Sequence, residues 1–417
     1  MKNLTLPIAL MAATLVGAGP AAAGTDLFGA DTVVAWAGVT TAAASGEASW
    51  MTGGFGKLRF GSGSPAVVTD AGIDWQPRLT DTLQFHAVGQ YDSDAFSPFA
   101  VTESYFTWKP VPTSAVRYAF RFGRLLPPIS LENDDLGWSA SRTLTPSAIN
   151  SWVGEELLVT GAEASVRTTV AENGLGATVG LFQGADAAGS ILAYRGWSLQ
   201  NLVTGGNAAL RLPQTPGAGY AAVFTRQAGV TRPGVEVDGR SGYYVRGDWR
   251  PPLPVSLNLL YFYNPANPTI VTRGQYGWTT KFYNGGLVYS LRPDTEMLAQ
   301  AMWGATKMGA VMPDGRHPAD MIFQSAYVLI SHRFDNASRL SLRGDYFATR
   351  DNSFAHLYDN NEHGYSATAA WIKPWTANLR SAVEIVDVAS RRGARTTIGE
   401  PQDQSQTMVE LSIRVRS

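Results

Sequence analysis

Apolar and polar residues alternate along most of this chain. In 114–124, Val116, Tyr118, Phe120 and Phe122 share one face, and Arg117, Arg121 and Gly123 share the other. In 82–91, Leu83, Phe85, Ala87 and Tyr91 alternate with Gln84, His86 and Gln90. In 408–416, Val409, Leu411, Ile413 and Val415 alternate with Glu410, Ser412, Arg414 and Arg416. A period of two belongs to a strand whose faces meet different surroundings. Two or three bases on the inner face of one strand do not suit a packed core. They suit a water-filled lumen, with the apolar face turned outward.

The alternating segments are joined by two kinds of connection. Seven are tight and rich in Pro, Asn and Asp, at 77–82, 109–114, 171–175, 250–255, 292–295, 334–338 and 373–377. These residues favour turns through fixed φ or local side-chain hydrogen bonds. The others are longer and polar. Seven hairpins with a first and a last strand predict sixteen strands. Their spans are 49–61, 66–77, 82–91, 99–109, 115–124, 157–170, 175–183, 240–250, 255–263, 277–291, 295–307, 321–334, 338–350, 363–373, 377–391 and 404–416. Strands of this length suit tilted bilayer crossings, and an even count with short turns at one end suits a transmembrane antiparallel up-and-down barrel. Counts of 14 or 18 also fit, because 31–45 reads as an extra strand, a luminal plug or a periplasmic arm. The organisation is therefore an N-terminal segment over 24–48 and a barrel over 49–417. Its long loops are 125–156 and 184–239, the latter with a small helix or hairpin near 220–227.

Composition narrows the setting. Hydrophobic residues make up 45% of the chain and charged residues only 16%, against a usual charged share of about 25%. Yet after the N-terminus no apolar run is long enough for a spanning helix. The first residues read as a signal peptide, 1–23: Lys2, an apolar stretch to Val16, a Gly/Pro break and Ala21-Ala22-Ala23. The sequence has no cysteine, which excludes a disulfide framework and thiolate metal sites. Its 33 basic and 34 acidic residues nearly cancel, so no attraction to nucleic acid is implied. Trp75, Trp108, Trp249, Tyr289, Phe334, Trp371 and Trp375 sit beside the tight turns, where an apolar band would meet headgroups.

Signal peptide, alternating strands and turn asymmetry together resemble the trimeric Gram-negative porins over nearly the whole mature chain. The resemblance is architectural, and it fits a substrate-selective porin as well as a general diffusion porin. It implies an outer-membrane homotrimer in lipid, reached by Sec-type export, passing small hydrophilic solutes or ions without a cofactor. One departure is the end of the chain. Such barrels usually finish on an aromatic residue, and this sequence finishes Val415-Arg416-Ser417. Porins also fold a long third loop into the lumen. Here that loop is 125–156, which carries Glu132, Asp134, Asp135, Glu155 and Glu156. Arg117, Arg121 and Arg167 on the flanking strands are expected to face the first three acids across a constriction. Lys57, Arg59, Arg380, Glu384, Glu410 and Arg414 are expected on the pore wall, where the last strands meet the first. Acids facing bases would set a transverse field that selects ions. The inner arginines give a slight lean toward anions. The alternatives are a solvated external loop and merely structural charge pairs.

Other classes leave weaker signs. The five histidines are His86, His317, His332, His356 and His363, and neither G-x-S-x-G nor H-E-x-x-H occurs. Asp351, Asn352, His356, Asp359 and His363 crowd one predicted loop, but without a ligand spacing, and read as solvated. No catalytic residue and no metal site is expected. A plugged barrel serving as an adhesin, a receptor or an outer-membrane hydrolase remains the alternative function. A secreted soluble β-protein would need a packed core.

Overall fold

The computed structural model describes residues 27–29, 31–64, 66–213, 226–354 and 359–417. The signal-peptide segment 1–23, residues 220–225 of the expected element near 220–227, and His356 lie outside the described residues. Sixteen strands form one closed sheet. They are β1 (Val33–Ala44), β2 (Val67–Trp75), β3 (Leu83–Asp92), β4 (Phe99–Trp108), β5 (Arg117–Leu125), β6 (Val159–Val170), β7 (Asn173–Gln183) and β8 (Gly242–Arg250). The second half comprises β9 (Val255–Pro265), β10 (Thr279–Arg292), β11 (Thr295–Met308), β12 (Ala319–Arg333), β13 (Arg339–Asp351), β14 (Glu362–Pro374), β15 (Leu379–Arg392) and β16 (Asp403–Arg416). Each strand pairs antiparallel with its neighbours in sequence. Closure comes from β1, which pairs with β2 through Val33↔Trp75 and with β16 through Trp36↔Arg416. A closed sheet leaves no edge unpaired, which a bilayer core requires. No described helix is long and apolar enough to cross a membrane.

The seven tight turns lie at one end, where the sequence places them. Two of them have only two connecting residues: Pro293 and Asp294 between β10 and β11, and Ala171 and Glu172, both at positive φ, between β6 and β7. Positive φ at both central residues is the type I′ geometry, one of the two turns whose twist matches that of the strands. Facing outward beside the turns, Trp108, Trp249, Tyr289, Phe334, Trp371 and Trp375 are all exposed. Trp75 stacks on Phe28 at 5.3 Å.

The first strand is 33–44, not 49–61, so the barrel wall begins within the segment set apart as 24–48. The count of sixteen stands because one strand replaces the other. Residues 55–60 are buried without alternation, which no strand with a lipid face permits. This stretch turns into the lumen and packs tightly against its own start. A Cβ on Gly54 or Gly56 would lie 2.3 or 2.7 Å from the Ala48 carbonyl oxygen.

The lumen is not simply filled with water. The described parts of three long connections, 45–64, 126–158 and 184–213, enter it and build an apolar core against the inner wall. Helix α1 (Ala148–Glu156) is wholly buried. Its N-terminus is capped by the Ser147 hydroxyl, which accepts from the Asn150 amide. From α1, Trp152 meets Phe323 at 5.1 Å, Phe282 at 5.6 Å and Trp197 at 6.0 Å. Phe182, Phe262 and Phe282 stack in sequence around the wall, at 4.9 and 4.8 Å. Full burial of each such ring contributes about 1.5–3 kcal/mol. Leu260 and Phe262 of β9, Phe282 of β10, Leu298 and Met302 of β11, Phe323, Tyr327 and Leu329 of β12 and Phe347 of β13 thus face the plug, between buried polar residues such as Asn284, Gln300 and Arg343.

Buried charges fasten the plug to the wall. Glu155 pairs with Arg195 of α2 (Ser190–Arg195) at 2.6 Å. Lys57 pairs with Glu362 of β14, and burial pushes the lysine down to about 8. Glu156 accepts from the Trp152 indole, the Gly189 and Ile191 amides and the Ser190 hydroxyl.

Candidate functional site

The open part of the lumen lies along β1–β8 and, at the closing seam, β15 and β16. A vestibule of about 860 Å³ opens at the short-turn end, among β3–β8. A second space of about 460 Å³ shares Gln76 and Gln84 with it. Beyond Leu136, which lines both, runs a narrow slot of about 100 Å³ toward the long-loop end. The slot has room for about seven to ten water molecules, since each needs roughly 10–15 Å³ on this measure.

The neck at Leu136 is built by close approach. Gln90 donates from Nε2 to the Gly137 carbonyl at 2.7 Å, and the Trp36 indole lies beside it. A Cβ on Gly137 would stand 2.8 Å from Trp36, and one on Gly72 would stand 2.1 Å from it. Gly137 also has φ of 64°, which favours glycine.

The expected constriction divides into separate groups. Glu132 is wholly buried, accepting from the Ser147 amide and from Asn150 Nδ2, each at 2.7 Å. Its other oxygen lies 3.5 Å from Arg343, which also pairs with Asp345 at 2.9 Å. Asp134 pairs with Arg142 at 2.8 Å, and Asp135 with Arg380 at 2.5 Å. These acids therefore meet bases of the loop itself and of β13 and β15. Arg117, Arg121 and Arg167 line the vestibule instead.

Of the expected wall residues, Arg59, Arg380, Glu410 and Arg414 border the slot, while Lys57 and Glu384 lie buried behind it. Glu384 accepts from the Leu144 and Thr145 amides. Glu410 accepts from the Thr145 hydroxyl. Three of the four slot arginines are fixed by an acid: Arg59 by Asp92 at 2.7 Å, Arg414 by Asp70 at 2.9 Å, and Arg380 by Asp135; the fourth, Arg211, lies over the Phe96 ring at 4.7 Å. The vestibule differs. Arg121 pairs with Glu163 at 2.7 Å and Arg246 with Asp248 at 2.6 Å. Lys109, Arg117 and Arg167 form no ion pair among the described residues.

Sequence reasoning missed Asp70, Asp92, Gln90, Trp36 and Arg343. Strand alternation places Asp70 and Gln90 inward, so that signal was present for those two. Trp36 and Asp92 depended on finding β1 and on seeing that 49–61 enters the lumen.

Outward apolar strands, short turns at one end, long inturned connections and a charged luminal path define a porin-type outer-membrane barrel. Solved structures of that class superimpose on the chain. They include OmpTdeltaL8, a loop-deletion mutant of the outer-membrane protein OmpT of Vibrio cholerae (TM-score 0.52, 10% identity, covering 92% of this chain and 98% of that one). An anion-selective porin from Comamonas acidovorans gives 0.52, 12% identity and coverages of 93% and 99%. The outer-membrane channel DcaP of Acinetobacter baumannii gives 0.51, 11% identity and coverages of 93% and 96%. At these identities the likeness is one of fold. No protein-family model matches the chain, and no curated protein matches it in sequence.

Proposed function

We propose that this protein is a porin of the Gram-negative outer membrane, a passive diffusion channel for small hydrophilic solutes with a slight preference for anions. The observation that carries this reading is the run of adjoining cavities from vestibule to slot, lined in part by fixed arginine–carboxylate pairs. The anion preference rests on the vestibule, whose walls hold five Lys or Arg residues and three acids. Charge lining a water path walled by low-dielectric material acts strongly on passing ions. Assembly as a homotrimer rests on resemblance to the porin class.

Planar-bilayer recording of the refolded protein in a salt gradient tests the proposal. Three-level current steps with a reversal potential of anionic sign are expected. The packed apolar core in the lumen favours a second reading, a barrel plugged at rest that serves as an adhesin or receptor. Silence from a correctly folded barrel would select that reading.

A further inference from the structure

At the long-loop end of the barrel the connection 184–241 returns to its own beginning. Asp186 lies three residues beyond β7, and Glu236 and Asp238 lie just before β8. One carboxylate oxygen from each comes within 4.8 Å of the others. The nearest counter-charge is Arg240, exposed, with Nε 3.4 Å from Asp238. Asp186 itself is wholly buried.

The second observation is Asn264, on β9. It is wholly buried, and its amide reaches into this cluster. Its Nδ2 stands 2.9 Å from Asp186 Oδ1 and 2.9 Å from the Ala185 carbonyl oxygen. Its Oδ1 is buried and has no hydrogen-bond partner among the described residues. The two ends of an amide are nearly identical in shape. Turned over, Asn264 brings its orphan oxygen to the Asp186 carboxylate and the Ala185 carbonyl.

We propose that Asp186, Glu236, Asp238, the Ala185 carbonyl and Asn264 Oδ1 bind one hard divalent cation, of the Ca²⁺ kind. All five donors are oxygens, which select Ca²⁺ or Mg²⁺ over softer metals. Their irregular mixture of carboxylate, carbonyl and amide suits calcium better than the strict octahedron of magnesium. The remaining contacts leave room for this role. Backbone amides already orient the carboxylates: Val237 on Asp186, Gly184 on Glu236 and Asn267 on Asp238. Glu236 Oε1 accepts from both the Asp238 and Gly239 amides, and Arg240 shares Asp238 Oδ2 with the Asn267 amide; Glu236 Oε2, both Asp186 oxygens and Asp238 Oδ1 each keep a further lone pair. A bound ion would staple both ends of the 184–241 connection to β9. That connection carries Trp197 and Leu199 of the plug.

The test uses the full chain refolded in detergent free of lipopolysaccharide, treated with EDTA and exchanged into buffer. Tb³⁺ is titrated, and its emission is read under tryptophan excitation. The Trp278 amide bonds the Asp186 carbonyl at 2.8 Å, so an indole lies close enough to sensitise the ion. One saturable site per chain, displaced by Ca²⁺ and accompanied by a Ca²⁺-dependent rise in the unfolding midpoint, is expected. Asp186→Asn with Glu236→Gln should abolish both effects. If that pair fails to fold, Asp238→Asn should still weaken Tb³⁺ binding about tenfold or more, the scale of losing an important metal contact. Absent saturable emission, or emission unchanged by Asp238→Asn, would overturn the proposal. So would an Asp186→Asn protein that is more stable than the parent while Ca²⁺ has no effect on either, because the cluster would then merely share a proton.

Discussion

Arg117 of β5 and Arg167 of β6 are register partners, directly opposite each other on the inner wall, and neither has an ion-pair partner among the described residues. Like charges opposite one another on adjacent strands oppose folding. They do so here at the wall of a wide polar vestibule, where a passing anion can meet both. Replacing Arg117 with Gln should stabilise the barrel by about 0.2–1 kcal/mol. The same change should shift the reversal potential toward cations. Denaturant midpoints and salt-gradient recordings measure the two effects. A selectivity unchanged in Arg117→Gln/Arg167→Gln would remove the vestibule from the permeation path.

The loop acids should divide by environment. Glu132→Gln leaves Arg343 short of one of its two acids inside the plug, and breaking a buried pair costs about 3–5 kcal/mol. Its effect should appear in unfolding midpoints. Asp134 is half exposed, and its loss should change stability by no more than about 1 kcal/mol. Asp135→Asn should release Arg380 into the slot and raise anion preference with little loss of stability. Selectivity changes of equal size in all three variants would contradict this division.

At the neck, Gly137→Ala places a methyl group against Trp36 and Gln90, at a positive φ. The backbone strain alone costs about 1–2 kcal/mol, and the conductance should fall. Leu136→Ala removes bulk at the same level and should raise it. Single-channel amplitudes measure both, and equal amplitudes would place the narrowest point elsewhere.

The plug should hold better in mild acid. Burial pushes the Glu156 carboxyl from 4.5 up to about 7, against its hydrogen bonds, and none of its hydrogen-bond partners is a Lys or Arg. Between those values the folded protein keeps a proton that the unfolded chain releases, so stability falls as pH rises through that window. The full difference is at most about 3 kcal/mol. Midpoints measured at pH 5 and pH 8 should differ in this sense, and Glu156→Gln should flatten the difference.

Strand period, turn chemistry and outer girdle were legible in the sequence because each is local. Alternation needs only the pleat, and Pro or Asn/Asp marks a turn wherever it stands. Fifteen of the sixteen expected strands accordingly overlap strands of the barrel, and all seven tight turns fall between the expected elements. The direction taken by 49–61 was not local. Its residues alternate much like a strand, and only the packing of Leu58 against Leu199 and of Lys57 against Glu362 draws it inward. The apolar inner positions of β12 did leave a trace, since its run 327–330 is apolar at every position. A sequence period reports that both faces are apolar, but not that the second one meets a plug. The pairing of the charges was likewise decided in three dimensions. Glu132 and Arg343 are separated by 211 residues, and a carboxylate's partner depends on which wall its loop reaches once the barrel has closed.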